Sequence, residues 1–195
     1  MEISQETLKG KLVTLEPINP SHLADFVEAG ADPRIWEWMT FSLSSKQEVK
    51  GFIDRVSKMP ARGQGVGYAI RSNVTNKIIG GSGFWHADKT HKKLEIGGSW
   101  LTFENQRTGA NTESKYILLK QAFEQLGCKR VGFSIDTRNL KSISAISRIG
   151  AIQEGVIRSD LDLHDGRDRD SALYSVLASE WPKIKKNLES LIDSR

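Results

Sequence analysis

The sequence contains a single cysteine, Cys128, so it can form neither an intramolecular disulfide nor a zinc site built from several cysteines. No apolar run approaches the roughly 18 residues that a membrane-spanning helix needs. The N-terminal segment lacks the apolar stretch of a signal peptide. We therefore expect a cytoplasmic protein that does not contact a membrane, with Cys128 as a buried apolar residue rather than a nucleophile.

The sequence also lacks a strong excess of charge of one sign. Its 28 Lys and Arg residues against 24 Asp and Glu residues give a formal net charge of +4, and these charges are scattered along the chain. This mildly basic balance suits an anionic ligand but is too weak to indicate nucleic acid. A chain of 195 residues, of which 38% are hydrophobic, predicts one globular domain over residues 1–195.

No metal-binding motif is found. The four histidines have no metal-ligand spacing, and His86, Asp88 and His91 fit a surface loop better than a metal site. The segment DLDLHDG, which begins at Asp160, superficially resembles a calcium loop. Its glycine, Gly166, falls at the seventh position instead of the sixth, and the closing glutamate is missing. We expect no metal.

The spacing of apolar residues predicts the element order β-α-α-β-β-β-α-β-α-β-β-α, with a final helix over Trp181–Ile192. Neighbouring strands favour antiparallel pairing, whereas the strand, helix and strand of residues 94–137 favour one parallel crossover. The sequence therefore predicts an α/β fold of the α+β kind: one mixed, mostly antiparallel sheet with helices on both faces.

Local signals support these boundaries. Ser21 is a candidate cap for the first helix, and Ser45 with Glu48 fits a capping box at the start of the second. Gly150 is suited to end the helix before it. The pair Asp165–Gly166 predicts a type I′ hairpin turn between the last two strands.

A polar, glycine-containing run separates a strand from a helix within Thr102–Phe123. The preceding residues, Leu94–Leu101, are strand-like, so the helix N-terminus and its free N–H groups predict an anion site. The Walker pattern fails, because Gly109 is not followed by a second glycine and Lys-Ser/Thr. The dinucleotide fingerprint also fails, because the glycines of Gly63–Gly67 precede a strand.

The remaining pattern in this run is Gln-Arg-Thr-Gly-Ala-Asn, residues 106–111. It resembles the Q/R-x-x-G-x-G/A pyrophosphate loop of the GNAT acetyltransferase superfamily, although Asn111 stands where the family has glycine or alanine. LEIGGSWL, DTRNLKSISAISRIGAIQEGVIR and RDSALYSVLASEW resemble the family's flanking strands and its N-x-x-S helix. The resemblance is best between Gly67 and Trp181 and points to the RimJ/RimL-like branch.

This resemblance implies a GNAT-like fold and an enzyme that uses acetyl-CoA as cosubstrate. The acetyl group would pass to a primary amine by direct attack in a ternary complex. The resemblance also implies a set of residues that bind the cofactor, which are Leu101, Gln106, Arg107, Thr108, Gly109, Ala110, Asn111, Thr112, Asn139 and Ser142.

Three catalytic candidates follow. Glu95, on the strand before the loop, is the first candidate for the base, with pairing to an arginine as its structural alternative. The resemblance implies that Ser142 hydrogen-bonds or protonates the leaving sulfur, and Tyr174 is an alternative acid, although a tyrosine in a strand is often simply packed. Asp160 and Asp162 are alternative bases. Capping alone would explain Asn139.

The amine acceptor is not defined by the sequence. By resemblance, Trp36, Trp38 and Phe41 form one wall of its cleft, and Trp85 contributes from a strand end, with core packing as the alternative for each tryptophan. The branch includes enzymes for protein N-termini and for small amines, so both remain expected acceptors. A homodimer is a further expectation. The alternative function is a non-catalytic acyl-CoA-binding or protein-interaction module on the same fold.

Overall fold

A computed structural model describes residues 1–193 of the chain. Within that range it contains eight strands and five α-helices, connected by short 3₁₀ turns. No helix among these residues is long and apolar enough to cross a membrane. The strands are β1 (Leu8–Lys9), β2 (Val13–Pro17), β3 (Val66–Ser72), β4 (Ile78–Asp88), β5 (Lys93–Leu101), β6 (Arg130–Asp136), β7 (Ile152–Asp162) and β8 (Asp168–Leu177). The helices are α1 (Leu23–Ala29), α2 (Lys46–Val56), α3 (Ala110–Lys120), α4 (Leu140–Ile149) and α5 (Trp181–Asp193).

All eight strands form one sheet in the order β1-β2-β3-β4-β5-β6-β8-β7. Every neighbouring pair is antiparallel except β5 and β6, which are parallel. The connection between these two strands is α3, as expected for a parallel crossover. The predicted single mixed, mostly antiparallel sheet is therefore confirmed.

The sheet has helices on both faces, and each face has its own core. One core packs α3, α4 and α5 through Leu118, Ile146 and Leu188. The other packs α1 and α2 through Phe26 and Phe52. Because the side chains of a strand alternate between faces, each strand contributes residues to both cores.

The parallel pair β5 and β6 is short. Its register covers only Lys93–Glu95 against Arg130–Gly132, although both strands continue beyond those residues. The strands therefore separate after Glu95 and leave a V-shaped gap, in which their facing backbone groups have no strand partner. A gap of this kind can bind an extended ligand through main-chain hydrogen bonds.

Several predicted local signals are confirmed, and two are wrong. Ser45 and Glu48 form the capping box, and Gly150 ends α4 with a φ of 102°. Ser21, however, does not cap α1: Asn19 caps the 3₁₀ turn Pro20–His22 that leads into the helix, because its carboxamide accepts the Ser21 N–H at 3.0 Å.

The turn between β7 and β8 also differs from its prediction. Gly166 has a φ of 82°, but Asp165 does not have the positive φ that a type I′ turn requires. The Leu163 N–H donates to the Arg167 carbonyl at 2.8 Å, so a longer loop closes this hairpin.

Candidate active site

The predicted anion loop follows the end of β5. Gly109, the residue before α3, has a φ of 98°, a conformation that glycine adopts without strain. Gly109 has no side chain to cap α3, and the first N–H group of the helix, that of Ala110, makes only a long hydrogen bond of 3.4 Å to Thr108 Oγ1. The following N–H groups of the first turn can therefore serve an anion, and the positive end of the helix dipole adds to their attraction.

The side chains of this loop mostly have partners inside the protein. Gln106 Nε2 donates to the Leu101 carbonyl at 3.3 Å, and Thr108 Oγ1 donates to the Asn105 carbonyl at 2.8 Å. These bonds attach the loop to the end of β5. They leave the backbone around Gly109 as the main donor toward an anion.

Two arginines lie beside the same helix start. Arg107 is exposed and has a φ of 62°, an uncommon conformation for a residue with a side chain. The guanidinium of Arg148, on α4, donates to the hydroxyl of buried Thr112 at 3.3 Å. The Thr112 hydroxyl accepts this bond and keeps its own hydrogen to donate, so its expected role as a donor to phosphate stays a prediction. Arg148 is a cation that the motif did not indicate, since it comes from a distant part of the chain.

Glu113 has a different role from the other residues of the first turn of α3. It is 3% exposed, and its carboxylate accepts the N–H groups of Lys11, Leu12 and Val13 at 2.7 to 2.8 Å. Its negative charge is thus directed away from the anion site and ties the turn between β1 and β2 to α3. No local sequence signal relates residues about 100 positions apart.

Asn139 and Ser142 lie where β6 leads into α4, at the open end of the gap. The Asn139 carboxamide accepts the Ser142 N–H at 3.0 Å, so the capping interpretation is correct. The amide nitrogen of Asn139 and the hydroxyl of Ser142 have no hydrogen-bond partner within residues 1–193, and both side chains are half-buried. Two donors without a partner in this range therefore follow directly on β6, one of the two strands that border the gap.

Glu95 belongs to the last residue pair of β5 and β6, where the gap begins. Its side chain is half-buried and makes no hydrogen bond or ion pair within residues 1–193. Its charge still acts on Arg169 of β8, together with the charges of Asp136 and Asp160. Glu95 thus has no direct ion pair with an arginine within residues 1–193, and whether it acts as a base or only through its charge on Arg169 stays a prediction.

Tyr174 is placed differently from Glu95. Glu95 pairs with Gly132, which in turn pairs with Ser175, so the Glu95 side chain shares a face with Ser175. Tyr174, one residue earlier, lies on the opposite face, is 5% exposed and donates its hydroxyl to Gln153 at 3.2 Å. Its environment is that of a packed core tyrosine with a satisfied hydroxyl.

The alternative bases lie on the edge strand β7. Asp162 is exposed, and its backbone pairs with that of Asp168. Asp160 is half-buried and lies close enough to Arg169 to influence its charge. Of these two carboxylates, only Asp160 shares the neighbourhood of Arg169 with Glu95.

The three tryptophans of the expected acceptor cleft have different positions. Trp36 is fully buried among aromatic rings, 4.9 Å from Trp100 by ring centroids, and its indole N–H donates to the Gly30 carbonyl. Its expected role as a cleft wall is therefore wrong. Trp38 is half-buried between the guanidinium groups of Arg138 and Arg167, at 5.2 and 5.4 Å.

Trp85 stays close to the gap. Its indole N–H donates to the Gly97 carbonyl at 3.0 Å, and its ring lies over Gly98, where a Cβ would be 3.1 Å from it. Gly98 has a φ of 58°, so β5 bends just beyond Glu95. The indole thus covers the bent part of the strand that borders the gap.

A buried lysine was missed by the sequence analysis. Lys115 of α3 is 4% exposed and donates to the hydroxyl of Ser99 at 2.6 Å, which in turn lies 2.8 Å from the hydroxyl of Ser82. Burial lowers the pKa of this lysine to about 8. A buried lysine in a helix with neighbouring apolar residues gives no sequence signal of its own.

Other reactive groups lie away from the gap. Burial raises the pKa of the Cys128 thiol to about 11, so this residue is a poor nucleophile, as expected. His91 pairs with Asp88 at 2.7 Å on the surface. Within residues 1–193, no three His, Cys, Asp or Glu side chains converge to hold a metal ion.

Comparison with known proteins identifies the family. Residues 13–152 match the family described as "Acetyltransferase (GNAT) domain", a span that includes the gap, the loop before α3 and the whole of α4. The chain belongs to the GNAT acetyltransferase family. The match covers well over half of the chain, so the resemblance noted in the sequence is confirmed.

Relatives of this GNAT chain match it over nearly its whole length. An "Uncharacterized N-acetyltransferase p20" of Bacillus licheniformis is 23% identical over 177 residues, which are 90% of this chain and 98% of that protein. A GCN5-related N-acetyltransferase of Brucella melitensis has a crystal structure that is 25% identical, with a TM-score of 0.91 over 98% of this chain and 87% of that one.

A third neighbour is a RimJ protein, whose fold is similar to that of this chain. The RimJ protein of Mycobacterium smegmatis, solved in complex with CoA-disulfide, has a TM-score of 0.83 at 19% identity, covering 96% of this chain and 95% of that one. The chain is therefore a GNAT N-acetyltransferase homologue with RimJ-like structural neighbours.

Proposed function

We propose that this GNAT protein transfers the acetyl group of acetyl-CoA to a primary amine by direct attack in a ternary complex. The observation that carries the proposal is the meeting of three features at one place. The gap between β5 and β6 opens directly after Glu95, and the start of α3, with its first-turn N–H groups, follows β5. Asn139 and Ser142 follow β6.

The residues present fit the cofactor. Acetyl-CoA carries a pyrophosphate, for which the first-turn N–H groups after Gly109 are suitable donors, with Arg107 and Arg148 as neighbouring cations. Its pantetheine arm is an extended amide chain, which suits the unpaired strand edges of the gap and the free amide nitrogen of Asn139. Leu101, Ala110 and Asn111 would contribute their backbone or nearby side-chain surface.

Glu95 is the proposed base. An α-amine has a pKa near 8 and a lysine side chain near 10, so an amine acceptor arrives mostly as an ammonium ion at neutral pH. Glu95 has no competing hydrogen bond within residues 1–193 and lies where the gap begins. Its carboxylate is therefore free to accept that proton directly or through water.

The rest of the chemistry needs two donors. Bound acetyl-CoA supplies the activated acyl group. Charge that develops on the carbonyl oxygen needs an N–H donor, and the unpaired edge of β5 beyond Glu95 has such groups. The departing sulfur needs a proton or a hydrogen bond, which we assign to the Ser142 hydroxyl. We assign no proton transfer to Tyr174, because its hydroxyl is engaged with Gln153 on the other face.

The proposal includes a cytoplasmic location and an acceptor that is a peptide or a small molecule. The test is turnover of acetyl-CoA with a panel of amines by wild type, Glu95→Gln and Ser142→Ala. We expect both variants to bind acetyl-CoA like wild type but to lose turnover, by about 100-fold for the base. Binding of acetyl-CoA without turnover on any amine would favour the non-catalytic module instead.

A further inference from the structure

The core between α3 and the sheet contains a small polar cluster, which consists of Lys115, Ser99 and Ser82. Lys115 Nζ donates to Ser99 Oγ at 2.6 Å and lies 3.5 Å from Ser82 Oγ, and the two serine hydroxyls are 2.8 Å apart. No charged group within residues 1–193 offsets the burial of this ammonium, whose pKa burial lowers to about 8. A buried cation without a carboxylate partner is costly, so its presence calls for an explanation.

The hydrogen bonds of the cluster leave one hydroxyl hydrogen without an acceptor. An ammonium only donates, so both serines can accept from Lys115 but neither can donate to it. Between the two hydroxyls one hydrogen bond forms at a time, and it uses the hydrogen of one serine. Within residues 1–193, the hydrogen of the other serine has no acceptor.

Ser99 is the most accessible member of the cluster. Ser82 is 3% exposed and Lys115 is 4% exposed, whereas Ser99 is half-buried. If Ser99 donated to Ser82, the hydrogen left over would be that of the buried serine, at the cost of an unsatisfied buried donor. The reverse arrangement is therefore favoured: Ser99 accepts from Lys115 and from Ser82, and it keeps its own hydrogen for a partner outside the cluster.

Ser99 lies on the part of β5 that borders the gap. This strand pairs with β4 as far as Leu101, but with β6 only as far as Glu95. Lys115 reaches Ser99 from α3, and β4 lies beside it, so the open side of Ser99 is the one toward the gap.

The position of Ser99 also determines which part of the cofactor it can meet. Four residues of a strand span roughly 10 to 13 Å, so Ser99 is too far from Glu95 to touch the thioester. From Glu95, β5 runs through Ser99 toward the loop before Gly109, where we expect the pyrophosphate. The pantetheine arm connects the pyrophosphate to the thioester, and its strongest hydrogen-bond acceptors are its two amide carbonyls.

We propose that Ser99 donates a hydrogen bond to an amide carbonyl of the pantetheine arm, and that the Lys115 ammonium orients and polarises the Ser99 hydroxyl for this bond. A hydroxyl that accepts from a cation is a stronger donor, so the buried charge strengthens the contact with the cofactor. Lys115 is a positioning residue, since it acts through Ser99. This inference rests on the proposed use of acetyl-CoA and deepens it.

The test compares two ligands that differ in the pantetheine arm: CoA and 3′-phosphoadenosine 5′-diphosphate, which has the nucleotide and the pyrophosphate alone. Calorimetry gives the Kd of CoA, and competition with CoA gives the Kd of the nucleotide. Ser99→Ala should raise the Kd of CoA by about 10-fold and leave that of the nucleotide unchanged. Lys115→Met should raise the Kd of CoA by a smaller factor of about 3, again without an effect on the nucleotide. Ser99→Ala keeps the test decisive if Lys115→Met does not fold.

The matched control is Ser82→Ala. It removes the other hydroxyl of the cluster, which is buried and does not reach the gap, so both Kd values should stay as in wild type. An equal rise in the Kd of CoA in Ser82→Ala and Ser99→Ala would mean that the cluster acts only through packing, and it would overturn the inference.

Two further results would contradict the proposal. An equal loss of both ligands in Ser99→Ala, or no loss of either, would overturn it while acetyl-CoA remains the proposed cosubstrate. An unchanged Kd of CoA in Lys115→Met would overturn the positioning role of the ammonium. If wild type bound neither ligand, the proposed function itself would be wrong.

Discussion

Glu95 on β5 and Gly132 on β6 form the last residue pair before the two strands separate. Gly132 has no side chain, so the space beside it is open to the side chain of Glu95. A Cβ on Gly132 would lie 3.1 Å from the Cγ of Glu95. This is tighter than ordinary van der Waals contact, so a methyl group there must displace the glutamate side chain. The position of the proposed base therefore depends on a glycine in the neighbouring strand.

Gly132→Ala should lower kcat for amine acetylation by about 10-fold while acetyl-CoA binds as in wild type, because only the proposed base moves. Steady-state kinetics and a cofactor titration check this. Gly155→Ala is the matched control, since a Cβ at that strand glycine would meet nothing within 4 Å. Unchanged kcat in Gly132→Ala would remove the support for Glu95 as the base.

Glu113 should be a determinant of stability instead of catalysis. Replacing it by alanine leaves the N–H groups of Lys11, Leu12 and Val13 without their acceptor. Only the Val13 hydrogen bond is fully buried, and the other two are part-buried. Because a buried unpaired donor costs about 1 to 3 kcal/mol, we expect the free energy of unfolding to fall by about 1 to 3 kcal/mol. Urea denaturation of wild type and Glu113→Ala measures this difference in the free energy of unfolding.

The controls for this prediction are Glu113→Gln, which keeps one acceptor oxygen and should lose less, and Glu104→Ala at an exposed carboxylate of the loop before α3, which should lose almost nothing. A Glu113→Ala protein as stable as the Glu104→Ala protein would show that the three hydrogen bonds contribute little.

Lys115 should make stability depend on pH. Burial lowers the pKa of its ammonium from 10.5 to about 8, so the folded protein releases this proton before the unfolded chain does. Between these two values the unfolded chain binds more protons, and the free energy of unfolding rises with pH. The rise from pH 8 to pH 10.5 should be about 2 to 4 kcal/mol larger in wild type than in Lys115→Met.

The comparison with Lys115→Met removes the effect of other groups that titrate in this range, among them Cys128, whose pKa is raised to about 11 in both proteins. Chemical denaturation at a series of pH values gives the two curves. If the free energies of unfolding of wild type and Lys115→Met changed with pH in parallel, burial would not destabilise the charged form of Lys115, and the prediction would be wrong.

The sequence was sufficient where a local pattern determines the structure. Apolar patterns predicted seven of the eight strands in the described range, all but the two-residue β1; the parallel crossover followed from a strand, a helix and a strand, and Gly109 immediately precedes α3. Asn139 likewise capped its helix as its position suggested. Such features depend on residues a few positions apart, so they can be predicted from the local sequence.

Features that depend on distant residues could not be predicted in this way. Trp36 and Trp38 are two residues apart, yet one is in the core and the other stacks between arginines from two other parts of the chain. Which face Tyr174 occupies depends on the register of β8 against β6. Within residues 1–193, the Arg169 Nε and the Ser171 hydroxyl lack a hydrogen-bond partner, which likewise depends on how the strands are assembled.

The central claim is that acetyl-CoA binds at the start of α3, and calorimetric titration with acetyl-CoA tests it most directly. Wild type should bind acetyl-CoA, and Gly109→Asp should abolish binding, because it puts a carboxylate and a side chain against the pyrophosphate. Gly127→Asp is the matched control: Gly127 also has a positive φ, 65°, and a Cβ there would meet nothing within 4 Å. The account predicts binding to wild type and Gly127→Asp but not to a folded Gly109→Asp; equal binding to all three would contradict it.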